Sequence, residues 1–311
     1  MSKGLTDMKF IFDFQAQRHW DWKVAFYLYG AGTGAGLVFL ELVLRGLGVV
    51  EESVALWGMG IGLILVLISL ATLFDHLGPG ARWAFFYVFR KVRTSTMSRG
   101  SVIDTVLVLL LIMVLLPSVP GFNGLPWGEG TSSGVVLRVS VLIFAAAFMA
   151  YSGLVLSLSN SIAFWNTPLL PILYIGYSFL GGMAALPILV LVLGGEAGLQ
   201  GVGPVFWPSF LILLLANGFV LLLYVWGMST GTLPARESVR RLVRGEHRWS
   251  FWLGVVGIGL VVPTAVVALI LGGGLGSGSN LVLAATCVAV QVGCFLLRDT
   301  ILRVGVYGYP V

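Results

Sequence analysis

Apolar runs of about twenty residues, separated by short polar or glycine- and proline-rich stretches, fill most of this chain. A helix needs roughly 20 mostly apolar residues to cross the hydrocarbon of a bilayer. Runs of that kind predict eight spans, at about 22–44, 54–75, 101–119, 135–158, 168–194, 206–228, 250–272 and 279–302. The breaks carry turn chemistry, as in PSVPGFNGLPWGEG between the third and fourth spans and LGGGLGSGSN between the last two. Lipid offers no partner for backbone N–H and C=O groups, so a spanning segment must satisfy them internally. The pattern therefore predicts an all-α integral membrane protein, an eight-transmembrane-helix bundle.

Composition agrees. The chain is 58% hydrophobic and 10% charged, where a soluble domain carries about 25% charged residues. The opening MSKGLTDMKFIFDFQAQR is mixed in charge, has no apolar core and does not read as a cleavable signal peptide. No separate soluble domain stands out, and nothing points to nucleic acid.

Charge adds an orientation. Eight spans put both termini on one side, with the loops after spans two, four and six. That side holds 16 of the 18 Lys and Arg residues, and only Arg45 and Arg138 fall to the other. Arg298 is counted on the basic side, near the end of the last span. Basic loops stay in the cytoplasm, so both termini are expected there. Trp20, Trp22, Trp127, Trp165, Trp207, Trp249 and Trp252 cluster near span ends, the depth an amphipathic ring prefers.

The first span raises a question. Gly30, Gly32, Gly34 and Gly36 occupy its middle, and a second small-residue patch, SFLGGMAAL, lies in span five. Such patches let helices approach closely, or they leave a flat slot for a planar ligand. The expectation is that something lies against that backbone. Cys287 and Cys294 are seven apart on one helix face, too distant to bond each other, and read as small buried residues.

Ionisable groups inside apolar runs are costly and usually functional. Glu41 is near the far end of span one, with Arg45 four residues on, the spacing of an ion pair on one helix face. Its alternative is proton entry. Asp104 lies one turn into span three, where it either pairs with Arg99 or Arg93 or serves a proton path. Asp75 and His76 end span two, and Asn217 in span six reads as a hydrogen bond between helices. Tyr27, Tyr29 and Tyr151 are phenols within spans, each needing an acceptor: a backbone carbonyl, or a quinone carbonyl. The three histidines, His19, His76 and His247, all fall at or outside span ends. That arrangement speaks against bis-histidine haem, and no cysteine cluster suits an iron–sulfur centre.

Several stretches together resemble the NrfD family, which includes the membrane subunit of polysulfide reductase. WDWKVAFYLYGAGTGAGLVFL is similar to that family's first core helix. DHLGPGARWAFFYVFRKVRTSTMSRGS resembles its second-span exit and the loop ending Met-Ser-x-Gly, here Met97, Ser98 and Gly100. YSGLVLSLSNSIAFWNTPLLPILY resembles the fourth-to-fifth span junction, and RWSFWLGVVGIGLVVP with FLLRDTILRVGVY the last two spans. The resemblance covers nearly the whole chain. It implies one domain over 1–311, with a quinone-binding four-helix bundle at about 20–160 and a second bundle at about 166–305.

The resemblance also implies a role: a quinone-interacting anchor without haem or iron–sulfur cluster of its own. Such an anchor exchanges electrons between the quinone pool, menaquinone or ubiquinone, and a ferredoxin-like four-cluster iron–sulfur subunit. That subunit in turn serves a molybdopterin or other catalytic subunit in the bacterial inner membrane. By alignment, Tyr151 matches a tyrosine that hydrogen-bonds a quinone oxygen. Tyr27 matches a position that is histidine in the polysulfide reductase subunit, and Val24 falls where that relative has a contacting asparagine. His76 opens a variant of the family's Leu-Gly-Arg-Pro motif that reads His-Leu-Gly-Pro-Gly, with Arg82 to substitute for the missing arginine. Tyr151, Tyr27 and His76 are thus the expected quinone contacts. Asp75, Asp104 and Glu41 are the expected proton relays, and Arg82, Arg90, Lys91, Arg93 and Arg99 the partner-docking residues. Relatives often carry the iron–sulfur partner on the outer face beside the first core helix; the charge bias here favours a cytoplasmic one. The rival reading is a small-solute or ion-coupled transporter, although inverted repeats with interrupted helices are not evident.

Overall fold

The structure, a computed structural model, describes residues 14–274 and 280–308. The reading of the first thirteen residues, with Lys3 and Lys9, lies outside the described residues, as does the middle of the last inter-span loop. Eight helices are long and apolar enough to cross a membrane: α1 Trp22–Gly46, α2 Glu52–His76, α3 Thr96–Ser118, α4 Ser132–Ser157, α5 Leu169–Leu193 and α6 Gly203–Ser229, then, after an intervening surface helix, Ser250–Leu271 and Asn280–Arg303. That surface helix is α7, Leu233–Val243, and the last two spans are α8 and α9. The expected spans fall within these bounds to a few residues.

Local chemistry sets several ends. The Asp21 carboxylate accepts from the Lys23 amide at the start of α1, Ser95 caps α3 and Thr131 caps α4, as side-chain oxygens do for unpaired N-terminal N–H groups. Between α5 and α6 the backbone stays helical, with Pro204 and Pro208 just past the turn. The two spans still lie antiparallel, because Gly176 of α5 packs against Asn217 of α6. The first half of α8, Ser250–Val261, is a π-helix, which the apolar pattern does not reveal. There Gly259 meets Gly293 of α9 backbone to backbone.

α1 is the central helix, in contact with α2, α4, α5 and α9. Its glycines answer the question raised by the sequence. Gly34 faces the carbonyl of Gly62 in α2, and a β-carbon there would lie 2.6 Å from that oxygen. Gly30 packs on Ser69 of α2, while Gly32 and Gly36 pack on Ser178 of α5. From the other direction, Gly181 receives Thr33, and Gly182 lies on the backbone of Gly36 and Leu37. The two small-residue patches interlock. The slot for a flat ligand is therefore not at these glycines, because neighbouring helices fill the space.

The segments just before α1 and just after α9 meet on the basic side. Ala16 bridges Val306 and Ile162 bridges Tyr307. Gln17 N–H donates to Gly305, and Gly308 N–H to Ser161. Trp165 is not an interfacial ring: it is buried, stacks on Trp20 at 5.4 Å between centroids and donates to Ile301 O at 2.9 Å. The segments flanking α1 and α9 and the α4–α5 loop thus share one face, as the eight spans between them require.

Gly36→Val would drive a side chain into the Ser178 backbone and should destabilise the bundle by about 3 kcal/mol. Gly60 is the control: nothing lies within 4 Å of the place a methyl group would take there, and Ala should stabilise the helix by up to about 1 kcal/mol. Thermal unfolding of the two variants in detergent measures the contrast.

Candidate functional site

A cleft of about 310 Å³ opens between α2 and α3, walled by Leu70, Ala71, Leu73, Phe74, Ser101 and Thr105, with Tyr27 and Asp104 at its inner end. Its mouth is lipid-facing, since Phe74 and Thr105 are exposed. Tyr27 comes from the face of α1 opposite the Ser178 contact and shares the cleft lining with Asp104. Asp104 is buried, and its Oδ1 has no hydrogen-bond partner. Tyr151 of α4 lies over Gly100, one turn before Asp104 on α3. Phe148 stands between the two phenols, 6.3 Å from each ring centroid. Three residues from three helices, each singled out in the sequence as a polar group within an apolar run, form one cluster.

Gly100 explains why the Met-Ser-x-Gly stretch ends as it does. The Tyr151 ring lies so close over it that any β-carbon would fall inside the ring. Asp104 follows one turn later on the same buried face of α3.

Above the cleft, on the basic face, the charged residues pair among themselves. Asp75 binds Lys23 and Arg82, each at 2.7 Å. His76 Nδ1 lies 3.1 Å from the Asp21 carboxylate that caps α1. Arg82 also covers the ring of Phe74, 5.9 Å from its centroid, which ties this rim to the cleft wall. Asp75 and His76 are therefore rim residues rather than members of the buried cluster.

The structure corrects three expectations from spacing. Glu41 does not pair with Arg45. Its carboxyl is fully buried against Gly58 of α2 with neither oxygen hydrogen-bonded, while Arg45 turns to Glu52 and Glu129. Asp104 does not pair with Arg99, whose guanidinium instead donates to the carbonyls of Val92 and Arg93 and closes the loop. Asn217 bonds back to Leu213 of its own helix at 2.8 Å. Of the expected docking residues, Arg90, Lys91, Arg93 and Arg99 are exposed around the 3₁₀ segment Trp83–Lys91.

Two further features do not follow from the sequence. One is an open polar cup of about 1020 Å³ on the basic side, lined by residues including Arg18, His19, Asp21, Arg241, Glu246, His247 and Arg303. The other is Arg298. Its position near a span end suggests a loop cation, but it is fully buried between α9, α5 and α1. The available signal is spacing: Arg298 is four residues from Cys294 and eleven from Cys287, on the face that reads as buried. It does not belong in the charge count. Among the described residues no group of three or more His, Cys, Asp or Glu side chains could hold a metal ion.

Burial and the nearby Arg303 hold the His247 imidazole below its ordinary pKa of 6.5. The unfolded chain then binds a proton more readily than the folded one, so stability is lost as pH falls below about 6.5. His247→Gln should flatten the decline in melting temperature between pH 7.5 and pH 5, measured side by side with the parent.

Residues 12–308 match the family described as polysulphide reductase, NrfD. The chain is 29% identical over 309 residues to Protein NrfD of Escherichia coli (strain K12), covering 92% of this chain and 94% of that one. It is 27% identical over 303 residues to the C subunit of the polysulfide reductase of Wolinella succinogenes, with the same coverage. Protein NrfD homolog of Haemophilus influenzae is 24% identical over 307 residues. With eight apolar spans and a match across nearly its whole length, the chain belongs to the NrfD family of multi-pass membrane proteins.

Proposed function

We propose that this chain is the quinone-reactive membrane subunit of a multi-subunit oxidoreductase. The observation that carries the reading is that Tyr27 and the buried Asp104 line a lipid-facing cleft, with Tyr151 packed close by against Gly100 and Phe148. A quinone head group is flat and apolar, with two carbonyl acceptors. The cleft volume lies at the lower end of the range of about 300–1,000 Å³ usual for small-molecule sites. Apolar walls from α2 and α3 suit the ring and isoprenoid tail, and phenols at the inner end suit the carbonyls. Menaquinone or ubiquinone, when bound, supplies two-electron chemistry coupled to two protons.

The chain's own residues do the positioning. Tyr151 donates to a carbonyl oxygen, with its ring height fixed by Gly100. Tyr27 holds the Asp104 carboxyl, which is the buried group available to take or give a proton at that oxygen. Asp75 and His76 at the rim are the groups that pass a proton on to water at the basic face. Glu41 sits toward the opposite membrane face, where it would serve only a path crossing the bilayer.

The partner fits the same geometry. The exposed Arg90, Lys91, Arg93 and Arg99 stand on the face above the cleft, where positive charge steers and registers an acidic partner. We assign that surface to a ferredoxin-like four-cluster iron–sulfur subunit, which would connect to a molybdopterin or other catalytic subunit. The membrane is the bacterial inner membrane, with both termini and the partner on the cytoplasmic side by the charge bias of the loops. The similarity to one subunit of a polysulfide reductase supports a place in such a complex. A transporter reading has no comparable observation in its favour.

In the assembled complex, Tyr151→Phe should lower quinol turnover about tenfold, the worth of one lost hydrogen bond, without loss of subunits. Asp104→Asn should lower it about 100-fold, as expected for a proton-transferring group. Gly100→Ala should match or exceed Tyr151→Phe because it displaces the same ring. Turnover unchanged in all three would remove the cleft from the reaction. A fluorescent protein fused at the C-terminus should light up in the cytoplasm; an alkaline phosphatase fusion active at that end would reverse the orientation.

A further inference from the structure

On the side of α1 away from the cleft, a cation is sealed into the bundle. Arg298 is 0% exposed. Its guanidinium donates from Nη1 to Cys294 O and from Nη2 to Ser178 Oγ, each at 3.0 Å. It lies over the ring of Tyr174, 5.3 Å from the centroid. Gly32 gives it room, since a β-carbon there would come within 3.1 Å of Nη2. These contacts satisfy hydrogen bonds, but they do not neutralise a charge.

Among the described residues no carboxylate forms an ion pair with Arg298; its contacts are Cys294 O, Ser178 Oγ and the Tyr174 ring. Asp299, next in sequence, turns to Arg303 at 2.8 Å on the exposed side of the helix. An arginine stays protonated in any protein environment. An unpaired charge in the interior is among the most costly arrangements a fold can hold.

The donors around it are also left over. Arg298 Nε and the hydroxyls of Tyr174 and Tyr177 are buried without hydrogen-bond partners. Tyr29 is already committed to Gln291, whose amide donates to Gly181 O. Ser178 donates to Tyr174 O. What remains is one guanidinium nitrogen, Nε, and two phenol hydroxyls that make no hydrogen bond at all, beside an uncompensated positive charge. Buried polar groups are normally paired, and this set lacks the same thing in each case: an acceptor.

We propose that the buried, unpartnered donors of Arg298, Tyr174 and Tyr177 bind a small monovalent anion of chloride size. The anion would supply the missing counter-charge and accept from all three donors. It would hold α9, α5 and α1 together where glycines have brought them close. The donor set suits a halide better than an oxyanion such as sulfate, because one charge needs balancing and close helix packing leaves little room. This site is independent of the α2–α3 cleft and of the function assigned to it.

Bromide is the probe, because it substitutes for chloride and scatters anomalously. The full chain, in its complex or in nanodiscs, is compared in bromide and in gluconate of equal ionic strength. The expected result is a bromide peak beside Arg298 and Tyr177, and a melting temperature that rises by about 3 °C for each tenfold increase of halide above its dissociation constant. Arg298→Gln should abolish both. Tyr177→Phe, which keeps the ring and its packing, should weaken halide binding about tenfold, so the test stands even if the arginine variant does not fold. An ordered water only at that position, or a halide response equal in the parent and Tyr177→Phe, would overturn the proposal.

Discussion

The rest of this bundle depends on how closely α1 can approach its neighbours. Gly34 against Gly62, and Gly36 against Ser178 and Gly182, bring three helices to backbone contact. No hydrophobic force drives helices together within lipid, so close van der Waals packing and interhelical hydrogen bonds must do the work. Once α1 is fixed in that way, its two sides face different surroundings. Tyr27 is delivered to α3 and α4, and Gly32 to Ser178 of α5 and Arg298 of α9. One helix thereby separates an acidic polar cluster that reaches the lipid from a cationic one that is sealed off.

The two clusters differ in how the cost of buried polarity is met. Asp104 shares a cleft with a phenol and lies beside an opening. Arg298 has carbonyl, hydroxyl and ring contacts but no acid. Glu41 is a third case, a carboxyl enclosed by α2 with neither oxygen hydrogen-bonded. A charge that can exchange protons with its surroundings has an escape from burial that a guanidinium lacks. The arginine is thus the one group of the three that must find its balance in another ion.

Much of this is legible in the sequence, and the reasons for success and failure are physical. Span positions follow from hydropathy, because the length of an apolar run is set directly by bilayer thickness. Tyr27, Asp104 and Tyr151 can be named because a polar group within an apolar run stands out. Their convergence cannot be derived from one-dimensional spacing; only the family resemblance links two of them to one ligand. The glycines are legible as a close approach, but not as to what approaches, since a helix and a flat ring demand the same absence of side chains. Arg298 passes for a surface cation because it lies five residues from a helix end, where a long side chain usually reaches the surface; its direction depends on which face α5 covers. Glu41 and Arg45 have ideal spacing for a pair, but Glu52 and Glu129 are competitors that only the assembled end of the bundle reveals.

The bridges of Ala16 to Val306 and of Ile162 to Tyr307 bear on how the protein is made. α1 is packed by helices that follow it in the chain, α2, α4, α5 and α9, and the segment leading into it is fastened to the residues just after α9. α1 must therefore wait in the bilayer, its glycine faces covered only by lipid, until α5 and then α9 are inserted. Assembly of this bundle is in that sense a closing of a ring, and a chain without α9 would leave the Gly32 side of α1 facing lipid.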